Sequence, residues 1–179
     1  MKAVFALLGL GALLPMVQGV IGTFIPLQYC PDFGLLLVVG LGLYWRNPHG
    51  GMALATAIGF ITDILSGSLL GQHALLRLFA FGVARAASKQ FNLRGVMAQA
   101  VLLVILTALN ALGTAALTAF FVAGHGWGGV ILASLTPHAL INGAFAPFAM
   151  ALVARIAVGF EDNEPGQSLL PIRPRKRLS

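Results

Sequence analysis

The sequence predicts an all-α membrane protein: a compact bundle of about six transmembrane helices with both termini on the cytoplasmic side. Three observations predict it. The first is composition. Of 179 residues, 58% are hydrophobic and only 9% charged, against about 25% charged in soluble domains, so the chain cannot cover itself with a water-compatible surface. The second is the stretch from Gly95 to Ala154, which contains no Asp, Glu, Lys or Arg. At about 1.5 Å per residue it far exceeds one bilayer and must fold back. The third is the placement of Lys and Arg, which accumulate beside span ends on the cytoplasmic side.

Apolar runs bounded by glycine, proline or charge place the spans near 3–24, 32–45, 51–66, 72–88, 96–123 and 129–156. The first follows a single lysine, Lys2, in the manner of a signal peptide. No small-x-small cleavage site follows it, so it reads as an uncleaved first span. The second to fourth runs are short beside the roughly 20 residues of a lone spanning helix, which implies that they are shielded by neighbours or extend into polar loops. The fifth and sixth are separated at residues 124–129, Gly-His-Gly-Trp-Gly-Gly, where four glycines penalise a continuous helix and the tryptophan suits the interfacial belt.

With the N-terminus inside, Lys2, Arg46, Arg85, Lys89, Arg94, Arg155, Arg173, Arg175, Lys176 and Arg177 all fall on the cytoplasmic side. That is ten of the eleven cations, Arg77 alone lying within a span. The opposite faces, around 25–31, 67–71 and 124–128, carry none, and an odd number of spans would spoil this partition. The bundle is expected over 1–158 and a flexible basic cytoplasmic tail over 159–179. The tail's basicity suits the anionic inner leaflet of the bilayer, and no folded face stands behind it for nucleic acid. The lone Cys30 cannot form an intramolecular disulfide and reads as a small apolar filler.

Asp63 and Arg77 are expensive, since a charge deep in a bilayer costs about 2.5–3.5 kcal/mol even on lenient scales. If the third and fourth spans form a hairpin turning near residue 68 or 69, Asp63 sits level with Ala74. His73 is then beside it and Arg77 one turn deeper on the same helical face, its long arm able to reach back toward Asp63. Asp63, His73 and Arg77 thus form an expected intramembrane polar cluster, read chiefly as a hairpin lock and secondarily as a proton or ligand site. Ser66, His73 and Asp63 could suggest a catalytic triad, but Ser66-Gly67-Ser68 lacks a nucleophile-elbow context. His49, His73, His125 and His138 lack metal-ligand spacing. No catalytic residue, cofactor or metal is expected.

Small residues recur every fourth position: Ala111, Ala115, Ala119 and Ala123 in the fifth span, and Ala139, Gly143, Pro147 and Ala151 in the sixth. Such ridges allow close helix packing. Asn110, Thr114 and Thr118 form a polar stripe beside the first ridge, and His138 and Asn142 lie i, i+4 on the last span.

Pro31-Asp32, followed after two residues by Leu-Leu-Leu-Val-Val and then by Tyr44-Trp45 and Pro48-His49, looks like the second span of the bacterial rod shape-determining protein MreD family. The segment from Gly59 through Asp63, Ser66, Gly67, Ser68, Gly71, His73 and Ala74 to Leu75 resembles that family's most recognisable stretch. Ile141-Asn142-Gly143 with Pro147 is similar to its last span. Arg77 and the acidic stretch from Glu161 to Glu164 fall outside the resemblance. What the resemblance implies is a non-enzymatic multi-pass scaffold of the bacterial cytoplasmic (inner) membrane. It would bind MreC and, through it, MreB filaments, RodA and its partner transpeptidase, positioning lateral-wall peptidoglycan synthesis. The turn and motif residues would be Pro31, Asp32, Ser66, Gly67 and Gly71. The partner-packing surface would be Ala111, Ala115, Ala119, Asn142, Gly143 and Pro147. The alternative is a substrate-capture subunit of a vitamin transporter, with an outward pocket near Asp32, Asp63, His73, His125 and Trp127. Ala3, Ala6 and Ala12 lack the every-fourth-residue alanine spacing such a subunit presents on its first span.

Overall fold

The structure is a computed structural model and describes residues 2–91, 93, 95–121 and 127–161. Six α-helices make up nearly all of it: α1 (Lys2–Ile21), α2 (Phe33–Tyr44), α3 (Pro48–Ser66), α4 (Gln72–Gln90), α5 (Val96–Phe121) and α6 (Trp127–Glu161). There is no strand among the described residues. The expected glycine-rich break falls partly on 122–126, outside them, as do Ala123 and His125; the tail beyond Glu161 also lies outside.

Three segments are long and apolar enough to cross a membrane: Val4–Ile21 in α1, Val96–Phe121 in α5 and Ala133–Ala157 in α6. Helix α2 is apolar but only 12 residues long, about 18 Å against a hydrocarbon core of about 30 Å. It is also the most enclosed element. Every residue from Gly34 to Gly42 is buried, and the helix touches α1, α3, α4, α5 and α6. A helix apolar all round has no solvent face to present, and here the other five surround it.

Local chemistry sets the ends. Asn47 caps α3 by accepting from the N–H groups of His49 and Gly50, with Pro48 in the first turn where its missing N–H costs nothing. Gly67 ends α3 at φ 63° and Gly71 begins α4 at φ 92°, left-handed backbone that glycine adopts without penalty. Between them lies the tight α3–α4 turn. The two helices then approach so closely that a Cβ at Gly59 would sit 2.5 Å from Ala74 Cα and 2.6 Å from the His73 carbonyl oxygen.

The core runs along α2. Leu35, Leu36, Val38, Val39 and Leu41 pack with Leu7, Leu54, Ile58, Phe81, Leu103, Leu106 and Met150. At the α2–α3 link, Arg85 of α4 donates to the Trp45 carbonyl and, at 3.0 Å, to that of Arg46. Gln99 of α5 donates to Tyr44 Oη at 2.8 Å and to the Leu93 carbonyl at 3.0 Å. This end of the bundle carries Arg46, Arg85 and Lys89; the α3–α4 turn lies at the other.

Candidate functional site

The expected pairing of Arg77 with Asp63 does not form. Arg77, only 1% exposed, donates through Nη2 to both carboxylate oxygens of Asp32 at 2.7 Å. Asp32 is the N-cap of α2, its Oδ1 accepting from the Leu35 N–H at 2.9 Å. Its own N–H donates to Asn142 Oδ1 at 2.7 Å. Asn142 Nδ2 donates to Thr107 Oγ1 at 3.0 Å, and that hydroxyl donates to the Leu103 carbonyl at 2.7 Å. Only one orientation of the Asn142 amide satisfies both neighbours. One hydrogen-bonded chain therefore joins α4, α2, α6 and α5.

Its depth follows from helix geometry. Thr107 is 11 residues beyond Val96 in the 26-residue α5, about 16 Å along an axis of about 39 Å. Asp32, expected at the outer end of the second span, thus lies deep in the bundle. Helix α2 begins midway along the bundle, and the chain between α1 and Asp32 descends to it with a single 3-10 turn at Leu27–Tyr29 against α6. The signal in the sequence was length. A dozen apolar residues cannot span about 30 Å, so one end of that helix starts inside the bundle. Arg77 then finds a carboxylate at its own level, whereas Asp63 lies nearer the turn.

Asp63, 1% exposed, serves a different purpose. Its Oδ1 accepts from the His73 N–H at 2.8 Å, from His73 Nδ1 at 2.9 Å and from Ser68 Oγ at 3.2 Å. Its Oδ2 accepts from the N–H groups of Gly71 at 3.0 Å and Ala74 at 3.2 Å. Gly71 has no side chain to cap α4, so a carboxylate from the preceding helix satisfies the orphan donors there and meets the positive end of the helix dipole. Asp63 and His73, expected together at this hairpin, are hydrogen-bonded across it, without Arg77. Ser66 Oγ donates to Ser68 Oγ at 2.9 Å rather than to a histidine. Ser68 does reach His73, at 3.1 Å, but on Nδ1, the nitrogen that Asp63 already engages. A proton relay needs serine and carboxylate on opposite ring nitrogens. These residues therefore form a turn clamp.

Above the ion pair lies a cavity of about 430 Å³. Asp32, Arg77 and Thr107 stand at its foot; His73, Asn110, Ala111, Thr114 and His138 line its sides, and Pro15, Gln18, Gly19, Thr62, Leu65, Ser66, Ser134 and Leu135 complete it. Thr114 is seven residues beyond Thr107, about 10 Å nearer the α3–α4 turn end. The short central helix accounts for the cavity: α2 fills the half of the bundle toward the basic end and leaves the other half without an axial helix.

The small-residue ridges divide. Gly143 packs on α5, where an added Cβ would lie 3.0 Å from a Val104 methyl, and Asn142 is fully buried in the polar chain. Neither presents a surface to another protein. Ala111 lines the cavity, and Ala115 and Pro147 are partly covered, while Ala119 is exposed. His49 and His138 lie at separate places in the fold; among the described histidines, His73 alone joins Asp63.

An all-helical bundle with long apolar helices, buried ion pairing and an internal polar chain defines a helical membrane protein. The model of one family, described as rod shape-determining protein MreD, matches residues 2–155 of the 179, and the chain belongs to that family. No curated protein and no solved structure matches it.

Proposed function

We propose that this protein is a non-enzymatic scaffold of the cell-elongation machinery of the bacterial cytoplasmic membrane, where it binds MreC and helps position lateral-wall peptidoglycan synthesis. The observation that carries this reading is the family match along nearly the whole helical part, residues 2–155, since membership implies a rod shape-determining role. All six helices are inserted, with residues 1–158 as the bundle and 159–179 as a cytoplasmic tail. The basic end, with Arg46, Arg85 and Lys89, faces the cytoplasm, so the cavity occupies the outer half. Helix α2 traverses only the inner half, and the segment before it completes that crossing. Irregular backbone at such depth is tolerated where protein or a cavity surrounds it.

A scaffold works by holding its surfaces at fixed geometry. The Arg77–Asp32–Asn142–Thr107 chain and the Asp63 clamp tie five helices together by directional bonds, and bonds of that kind select one arrangement more sharply than apolar packing does. Exposed small residues such as Ala119 remain available to MreC's transmembrane helix, with MreB, RodA and the transpeptidase recruited indirectly. The test is an affinity pull-down of the detergent-solubilised chain from its native membranes, with bound proteins identified by mass spectrometry. Recovery of MreC and cell-wall synthases is expected. Recovery instead of an ATPase-linked membrane subunit would overturn the scaffold in favour of the transport alternative.

A further inference from the structure

The buried guanidinium is only partly used. Arg77 Nη2 serves Asp32, but Nε and Nη1, both shielded from solvent, have no acceptor, and Asn110 Oδ1, also shielded, has no donor. Buried polar atoms of this kind are costly when their hydrogen bonds go unmade. Both side chains line the 430 Å³ cavity, which is many times the roughly 30 Å³ share of one water molecule. We propose that this cavity is a binding site for a small, uncharged, hydroxyl-rich molecule of the polyol or sugar class.

The chemistry of the lining selects that class. Positive charge on Arg77 is already balanced by Asp32 at 2.7 Å, so an anion entering beside that carboxylate gains little attraction and meets repulsion. A cation would meet the unsatisfied N–H donors of Arg77. A hydroxyl group both donates and accepts, and once a small side-chain shift uncovers these closed-off atoms, several hydroxyls on one small frame can accept from Arg77 while donating to Asn110 Oδ1. Thr114, Gln18 and His138 offer further partners of both kinds along the wall.

Depth decides the route. The Arg77 donors stand at the foot, midway along the bundle, with Asn110 on the wall beside them, whereas a membrane lipid places its head group at the interface and its tails toward the midplane. A lipid would bring its apolar end to the polar floor. The ligand is therefore a water-soluble molecule that enters from the α3–α4 turn end, past Ser66 and Gly19. The inference rests on the cavity alone and stands or falls independently of MreC binding.

The test is saturation-transfer NMR on the full chain in phosphatidylcholine nanodiscs, with glycerol, glucose and N-acetylglucosamine as uncharged probes and inorganic phosphate, choline and octyl glucoside as contrasts. At least one uncharged soluble probe is expected to show saturable transfer. Ala111→Phe, which fills the cavity, and Asn110→Leu, which removes the free acceptor, should each weaken it at least tenfold in protein whose thermal unfolding is otherwise preserved. Both replacements leave the Asp32–Arg77 pair untouched. Transfer to phosphate or choline alone would overturn the assignment of an uncharged ligand, and transfer to octyl glucoside alone would overturn the soluble route. Transfer to none of the probes, or equal transfer in both cavity variants, would overturn the site.

Discussion

Replacing Arg77 by methionine removes the guanidinium but leaves the Asp32 carboxylate, 14% exposed, largely enclosed and uncompensated at the centre of the bundle. Breaking a buried ion pair from one side costs about 3–5 kcal/mol, while replacing both partners with neutral groups of similar volume is often far milder. Arg77→Met and Asp32→Asn should therefore each lower stability steeply, and the double variant should recover a large part of the loss in thermal unfolding of the nanodisc-embedded chain. The corresponding cycle on Asp63 and Arg77 should show no such coupling, because Asp63 bonds to Ser68, Gly71, His73 and Ala74 instead. Additive losses at Asp32 and Arg77 would remove the ion pair from this account. Residue identity made Asp63 and Arg77 conspicuous as intramembrane charges. Their partners were not legible, because pairing depends on the level at which each side chain sits, and that was set by where α2 begins.

At the scale of elements, the α3–α4 hairpin depends on a helix contact that admits no side chain. At Gly59 the atoms a Cβ would meet are backbone, 2.5 Å to Ala74 Cα and 2.7 Å to Ala74 N, so the helices must part to accommodate it. Gly59→Ala should destabilise the bundle by about 1–3 kcal/mol or more, the range for overpacking. Gly82→Ala, with open space around the new methyl, should leave the unfolding temperature near or above that of the parent. Equal behaviour of the two variants would contradict the close approach. Helix positions were largely legible: runs expected near 51–66 and 72–88 became α3 and α4, since glycine, proline and charge punctuate an apolar chain plainly. The second run was read as a full span. Its enclosure by five helices, which permits it to stop halfway, is a property of the neighbours and not of its own residues.

For the whole molecule, the proposed orientation places the α3–α4 turn outside and the basic end inside. In a chain with Cys30→Ala, a cysteine at Leu70, which is 74% exposed, should react with a membrane-impermeant maleimide in right-side-out vesicles. One at the exposed Lys89 should react only after permeabilisation. The reverse pattern would invert the bundle and turn the cavity toward the cytoplasm. The positive-inside bias that motivates this expectation is a statement about insertion, so it can be read from charge order along the chain without knowledge of packing.

Legible in the sequence were the helical character of the chain, its possession of runs apolar enough to cross a membrane, the division of its helices, and its resemblance to the MreD family. Those properties follow from composition, from breakers between apolar runs, and from motifs local in the chain. Folding in three dimensions was needed to show that Asp32 and not Asp63 neutralises Arg77, that Asn142 and Gly143 serve the interior, and that the half of the bundle toward the α3–α4 turn holds a cavity with an ion pair at its foot. The physical reason is common to all three. Each depends on how deep a 12-residue helix sits among five others, a relation between segments as far apart in sequence as Asp32 and Asn142.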